Sequence, residues 1–295
     1  FRSQLEVPAC GWRLVVVDNG STDQTRAVIQ SYKSVLPLVY VFESALGKNV
    51  ALNAGLASIS GDLVVLTDDD VFPRPDWLIQ LRKAADRNSS FSIFVGVILP
   101  RWEVPPSSWV AHIPPAPAFT ITSPSLREGP IDPEYVFGPN MAIRADIFNK
   151  GIRFDPNIGP KGSDYPMSGE TELLLRLKEQ GHKAWHARRA VVEHFIRKEQ
   201  IAKRWVFQRA VRFGRGQQRL GERSPASKKV TVFGVPPQYF LRILKRLVVI
   251  AIAFLKSDEA KMVVAQWELN FLWGHVVEAR MLRRRTDSAA TSKEA

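Results

Sequence analysis

Short apolar runs alternate with amphipathic stretches along the first two thirds of the chain. Arg13 to Val17 (RLVVV), Val39 to Phe42 and Leu63 to Leu66 read as strands buried on both faces. Thr22 or Asp23 can cap a helix running to Tyr32. Gly47-Lys48-Asn49 opens a second helix, with Leu52, Leu56 and Ile59 at helical spacing. Asp76 is a good N-cap for a third helix to Asp86 with Leu78 and Leu81 inward, and Phe91 to Leu99 is a further strand. Pro100 to Pro133 is Pro-rich and aperiodic, with Trp102, Trp109 and Phe119 scattered along it; a loop of that length lines a sugar or acceptor pocket or serves as a structural cover. Tyr135 to Arg144 reads as a strand broken by Gly138-Pro139-Asn140, which implies a bulge or a close backbone approach to a ligand. Ser168 can cap a helix to Gln180, stopped by Gly181 and carrying the stripe Leu173, Leu174 and Leu177; Val191 to His194 then ends a strand. Strands alternating with helices predict an α/β domain with a mostly parallel sheet, whose ligands bind at the carboxyl ends of the strands.

The last part of the chain has a different pattern. Tyr239 to Leu255 is rich in Leu, Val and Ile but is interrupted by Arg242, Lys245 and Arg246. Its uninterrupted part, Leu247 to Leu255, is too short for the roughly 20 residues that span a bilayer. Glu259 to Leu282 predicts a second helix, with Trp267, Phe271 and Trp273 beside Lys261, Glu268 and Glu278. Such helices lie in a membrane interface or pack as a hairpin on the catalytic domain or another subunit. The expected organisation is a domain over 1–216, a basic linker over 217–238, an amphipathic helical tail over 239–285 and a disordered end over 286–295.

Charge sharpens this division. The 295 residues carry a formal net charge of +12. Arg197 to Arg246 holds fourteen Lys or Arg against two acids, Glu199 and Glu222, which accounts for that whole excess. A local basic field suits a phosphate-bearing partner or an anionic membrane surface, and places the protein at the cytoplasmic face of a membrane as a peripheral protein; an exposed basic helix is the plain alternative. No nucleic-acid module is recognisable, so nucleic acid is not an expected partner. The single cysteine, Cys10, excludes an internal disulfide and a cysteine-rich zinc site. The first residue is Phe1, and no basic-then-apolar signal follows it, so the sequence is expected to be a fragment or a processed product.

The chemistry gathers at strand ends. Leu63 to Leu66 runs into Asp68, Asp69 and Asp70, three carboxylates that stay ionised together only beside a cation or a ring of donors. On extended chain Asp68 and Asp70 point the same way and can share one ion, for which oxygen ligands favour Mg²⁺ or Mn²⁺. Asp18 ends another strand and can share that crevice. Glu170 lies in the first turn of its helix, where the dipole favours its charged form; it is a reactive carboxylate or a simple cap. His194 is a metal ligand or a structural imidazole. There is no phosphate loop of the Gly-Lys-Ser type and no Gly-x-Gly-x-x-Gly after the first strand, which argues against an ATPase or a dinucleotide enzyme. A metal phosphatase would need an Asp nucleophile and a Lys partner at a spacing this chain does not show.

Several segments in order resemble the family 2 glycosyltransferases. They are Asp18-Asn19-Gly20-Ser21-Thr22-Asp23, Gly47-Lys48-Asn49 with Asn53-Ala54-Gly55, Asp68-Asp69-Asp70-Val71 with Trp77-Leu78, Phe137 to Arg144, and Gly169-Glu170-Thr171-Glu172-Leu173 with Ala190 to His194. The resemblance covers about Trp12 to Gly216. It implies a GT-A fold, with a Rossmann-like sheet flanked by helices and here a C-terminal helical appendage. It implies a metal-dependent enzyme that inverts the anomeric carbon while moving a sugar from a nucleoside-diphosphate donor to a glycan or lipid-linked acceptor. The alternative is a non-catalytic relative that binds a nucleotide or glycan. By the same resemblance Asp18, Asn19, Ser21, Lys48, Asn53 and Asp69 hold the donor nucleotide. Asp68, Asp70 and His194 hold Mn²⁺ or Mg²⁺, and Glu170 or Glu172 is the general base. Asn140, Arg204, Trp205 and Arg209, with Arg212, form an acceptor or phosphate wall; an ordinary amphipathic helix is the other reading of the last four. The family's first strand, with its Pro-x-Tyr-Asn-like turn, is expected to precede Phe1. Gln200 to Trp205 is one residue longer than the Gln-x-x-Arg-Trp of processive members, which implies a non-processive relative.

Overall fold

A computed structural model describes residues 5–162, 165–222 and 236–291. The elements in order are β1 (Leu14–Asp18), α1 (Thr25–Ser31), β2 (Leu38–Phe42), α2 (Lys48–Leu56), β3 (Leu63–Leu66), β4 (Val71–Pro73), α3 (Trp77–Arg87) and β5 (Ile93–Trp102). There follow α4 (Pro115–Phe119), β6 (Gly129–Ile131), β7 (Met141–Arg144), α5 (Ala145–Asn149), α6 (Gly169–Glu179), β8 (Ala184–Ile196), α7 (Lys203–Glu222), α8 (Gln238–Leu255) and α9 (Glu259–Thr291). The contacts divide the chain into two compact units. One comprises residues 1–101, 120–163 and 169–195; the other comprises 102–119, 164–168 and 196–295. The boundary expected at residue 216 therefore falls inside the second unit, because α7 packs with the tail helices.

The first unit is α/β. β1 pairs with β2 in parallel, and a separate six-stranded sheet runs β3-β7-β5-β8-β4, with β6 on β8. The expected mostly parallel sheet needs one correction. β7 is antiparallel to both β3 and β5, and β8 is antiparallel to β4 and β6, so the larger sheet is mixed. The reason for β7 lies in its connection: it enters from the long 103–140 stretch, whose one α-helix is the five-residue α4, so it does not arrive from β5 by the long helical crossover that parallel neighbours require.

The core of this unit lies on the two faces of the sheet. Met141, Ile143, Leu173, Leu174 and Leu177 bury against one face with Phe148 and Phe154. Trp77, Leu81, Phe94, Ile98 and Ala142 bury against the other. β7 supplies both faces by alternation, Met141 and Ile143 to one and Ala142 to the other. Asn140 locks the entry to this strand. Its side chain accepts from Trp77 Nε1 at 2.8 Å and donates to the carbonyls of Val97 at 2.9 Å and Ala190 at 3.0 Å. At 0% exposure it is a core staple, which corrects its expected place on an acceptor wall. The aperiodic 100–133 stretch is partly ordered as α4 and β6, and Trp109 and Phe119 are buried, as a structural cover requires.

The second unit is helical. α7 lies along α9, and α8 packs on α9 as well. Backbones approach closely where glycines allow it: a Cβ on Gly214 would stand 2.0 Å from the Phe271 carbonyl oxygen, and one on Gly274 2.2 Å from that of Val211. Glu278, fully buried on α9, receives Arg215 Nε at 2.7 Å and Arg219. α7 runs to Glu222, so 217–222 is helix rather than linker; the remainder of that expected linker, 223–235, lies outside the described residues. α9 continues to Thr291, so 286–291 is helical rather than disordered.

Candidate active site

Four elements carry the acidic site. β3 ends just before Asp68, and Asp70 leads directly into β4. α6 presents Glu170 in its first turn. α2 begins at Lys48 after Gly47, whose φ of 139° is open to glycine. The Lys48 ammonium stands 2.9 Å from Asp68 Oδ1 and 2.8 Å from Glu170 Oε1. Burial opposes that charge, but Glu170 and Asp68 together outweigh it and hold the Lys48 pKa above the ordinary lysine range. Gly138 makes room for Glu170: a Cβ there would stand 2.6 Å from Glu170 Oε1. The close approach expected at Gly138-Pro139-Asn140 is thus an approach to this carboxylate.

Antiparallel pairing of β4 with β8 sets Val71 opposite His194. The Phe195 amide donates to the Asp70 carbonyl at 2.8 Å, and His194 Nε2 lies 3.5 Å from Asp70 Oδ2. Asp70 and His194 are thereby one pair, while Lys48 draws Asp68 toward Glu170. No group of three His, Cys, Asp or Glu side chains poised to hold a metal is assembled among the described residues. Asp69, between Asp68 and Asp70 in sequence, is exposed. Glu172 is separated from this cluster in role. It is buried, and Arg176 donates to it at 2.7 and 3.0 Å across one helical turn.

A second acidic strand end is tied to the first through a loop. Asp18 accepts from the Ser21 amide at 3.0 Å and from the Tyr40 hydroxyl at 2.8 Å. The hydrogen bonds of Ser21 and then Tyr40 hold its carboxyl below the usual range, and burial followed by Asp18 raises the Tyr40 hydroxyl. Asn19 accepts from the Gly47 amide at 2.8 Å and donates to the carbonyls of Glu43 and Ala45. The loop that Asn19 shapes delivers Lys48. Asn53, expected at the donor, instead clamps Phe154: it accepts from the Phe154 amide and donates to its carbonyl, both at 2.9 Å. Those two bonds give the Asn53 amide a structural role between α2 and the chain at Phe154.

The basic residues expected as a wall lie in the second unit, on α7. The Arg209 guanidinium stands 5.3 Å from the Trp205 ring centre and donates to the Pro117 carbonyl at 3.0 Å. Arg212 stands 5.8 Å from Trp205 and 5.3 Å from Tyr165. Arg204 is exposed on the same helix. The helix thus carries arginine–aromatic contacts. Sequence reasoning missed the role of Lys48 as a bridge and that of Tyr40 as partner to Asp18, since both depend on residues far apart in the chain. The Glu172–Arg176 pair carried a visible signal, the four-residue spacing on one helix.

Comparison with known proteins agrees with this architecture. The family model described as Glycosyl transferase family 2 matches residues 1–151. The glucosyl-dolichyl phosphate glucuronosyltransferase of Haloferax volcanii is 24% identical over 189 residues, which is 61% of this chain and 58% of that protein. TuaG of Bacillus subtilis, a putative teichuronic acid biosynthesis glycosyltransferase by name, is 32% identical over 107 residues, 35% of this chain and 42% of its own. This chain therefore matches less than two thirds of either relative. Among solved structures, the mannosyltransferase PcManGT from Pyrobaculum calidifontis, in complex with GDP-Man and Mn²⁺, superposes with a TM-score of 0.59 at 17% identity over 93% of this chain and 79% of that one. S. aureus TarS 1-349 in complex with UDP-GlcNAc gives a TM-score of 0.52 at 15% identity over 89% and 83%. These two likenesses speak for the GT-A fold. With the family model matched over the first half of the chain and the sheet and helices arranged as in those enzymes, the chain belongs to the family 2 glycosyltransferases.

Proposed function

We propose that the protein transfers a sugar from a nucleoside-diphosphate donor to the hydroxyl of a lipid- or polysaccharide-linked acceptor, with inversion, and that a divalent ion assists. The observation that carries this reading is the meeting of Lys48, Asp68 and Glu170 beside the Asp70–His194 pair. Carboxylates with one imidazole are the donor set of a hard divalent ion. Asp70 and His194 would hold Mn²⁺ or Mg²⁺, joined by Asp68 once Lys48 releases it. A bound ion would neutralise the charge that develops on the departing diphosphate. Glu170 takes the proton of the acceptor hydroxyl. The acceptor oxygen then bonds to the anomeric carbon as the carbon–phosphate-oxygen bond breaks, its electron pair leaving with the diphosphate. One base and direct displacement give inversion. At the end of β1, the buried Asp18, the half-buried Asn19 and the exposed Ser21 are the candidates for the nucleoside, with the exposed Asp69 at the neighbouring strand end. The relatives named for dolichyl phosphate and teichuronic acid support an acceptor carried on a lipid or a polymer.

A lipid-linked acceptor calls for a peripheral protein at the cytoplasmic face of a membrane. No helix among the described residues is long and apolar enough to cross one. The deciding experiment incubates the protein with UDP- and GDP-sugars and Mn²⁺ and measures release of the nucleotide. Asp70→Ala should abolish Mn²⁺-dependent nucleotide binding with the fold retained, as judged by circular dichroism. Undiminished Mn²⁺-dependent binding in that variant would remove the metal role. Nucleotide binding without any release, with every donor tried, would support the non-catalytic alternative instead.

A further inference from the structure

Within the second unit, α8 is apolar on two sides. One side packs on α9, where Tyr239, Phe240 and Ile243 meet Val276 and Ala279, and Ala253 is buried. The other side holds Leu241, Leu244, Val248, Ile252 and Leu255, all exposed; Leu255 is 82% exposed and Leu241 70%. Their spacing of three and four residues puts them in one stripe along the helix. Leu247 and Phe254 widen it. A continuous apolar stripe of this kind facing water marks a contact surface. The charges on the helix are all of one sign: Arg242, Lys245 and Arg246, with Lys256 just beyond its end, and no acid from Gln238 to Leu255. Lys245 borders the exposed stripe, whereas Arg246 turns inward and pairs with Glu268 of α9.

We propose that this face of α8 lies in the headgroup region of an anionic membrane, parallel to its plane. The length of the wholly apolar part, Leu247 to Leu255, is too short to cross a bilayer and suits a helix in the interface. Charge complementarity selects lipid over a second copy of this chain. Two α8 helices seam to seam would oppose Lys245 and Arg242 to their own kind with no acid on either helix to pair, whereas anionic headgroups pair with them. The proposal rests on the lipid-linked acceptor reading only for its biological purpose; the surface itself stands on the exposure and charge of α8.

The test uses the full chain and two kinds of vesicle, phosphatidylcholine alone and phosphatidylcholine with phosphatidylglycerol. The protein should sediment with the anionic vesicles and far less with the neutral ones. Replacing Leu244, Val248 and Leu255 together by Gln should weaken that binding by roughly 10²–10³-fold, since each lost apolar contact is comparable to one order in affinity. Helicity and nucleotide binding should be unchanged, because all three side chains are exposed and lie outside the acidic site. Lys245→Glu should weaken binding to anionic vesicles and leave the weak binding to neutral ones as it was. Equal binding of the triple variant and the parent overturns the proposal. So does a parent that is a dimer by light scattering and becomes a monomer in the triple variant without any vesicle binding, which assigns the stripe to a second copy. Nucleotide release by the triple variant, measured with a water-soluble acceptor, separates the two readings: vesicle binding can fail while transfer persists, and transfer can fail while vesicle binding persists.

Discussion

At the scale of single residues, the two acids of the Gly-Glu-Thr-Glu segment separate cleanly. Glu170 shares an ammonium with Asp68, and Glu172 is a buried partner of Arg176. Glu170→Gln keeps the shape but cannot take a proton, so transfer should fall by roughly 10²–10⁴ while donor binding persists. Glu172→Gln should act on stability instead, by about 1–3 kcal/mol, the cost of leaving a charged partner poorly matched. Rates and thermal midpoints of the two variants check both statements; a Glu172→Gln enzyme that is fully stable but inactive would move the base two residues along. Lys48 has a testable role of its own. It pairs with Asp68, and under the proposed function a divalent ion would compete with it for that carboxylate. Lys48→Met should tighten Mn²⁺ binding without nucleotide on the order of tenfold, about the worth of one charge-assisted hydrogen bond. Calorimetric titration with Mn²⁺ reads this directly, and unchanged or weaker binding would show that Lys48 organises the acids rather than competing for them. The sequence carried the acids but not this bridge. Asp68 and Asp70 are legible because three carboxylates after an apolar run demand a counter-charge, although the strand itself proves only half-buried. Which charge answers them depends on how α2 and α6 meet β3, and that is tertiary information.

At the scale of elements, strands and helices in the first unit follow the apolar pattern closely, and the departures have physical causes. β4 is a strand despite Pro73 and the neighbouring Pro75, because it is only three residues long and pairs at the sheet's edge, where a missing amide donor is tolerated. Asn53 and Asn140 sit in motifs that suggest ligand contact, yet both spend their amides on backbone groups, a use that no periodicity reveals. In the tail, the packing of α8 on α9 has a consequence for pH. Burial, and then the positive Arg242, push the His275 pKa down to about 4, from an ordinary 6.5. The folded helix pair thus prefers the neutral ring, while the unfolded chain takes up a proton as the pH falls through 6.5. Stability should therefore decline between pH 6.5 and about 4, with the loss complete below that. The full effect is up to about 3 kcal/mol, at 1.36 kcal/mol for each unit. Thermal midpoints across this pH range should fall, and His275→Gln should flatten the acid limb due to this site. A titration of the imidazole by nuclear magnetic resonance that centres at its ordinary value would refute the account.

For the whole molecule, the division into two units decides what the tail can be. The sequence left open whether the helices after residue 238 lie on a membrane or cover another part of the chain. The structure gives them a side packed against other helices and, on α8, an exposed apolar side. α9 is a structural partner of α7: Gly214 and Gly274 let the two backbones approach, and Glu278 neutralises Arg215 and Arg219 in a buried site. The outer face of α8 meets none of this. Removing residues 236–295 should therefore not act as a clean release from a surface. It would leave two arginines on α7 without their carboxylate and bare the side of α7 that packs on α9. Losing one partner of a buried ion pair costs about 3–5 kcal/mol, before any apolar exposure is counted. The truncated chain is expected to aggregate or to lose its second unit on heating well below the parent. Glu278→Ala alone should reproduce much of the destabilisation with both helices still present. Size-exclusion chromatography and calorimetry on the parent, the truncated chain and Glu278→Ala test this. A truncated chain that stays monomeric and melts with the parent would mean that α9 contributes little to the fold. The buried triad of Glu278, Arg215 and Arg219 would then have no bearing on stability.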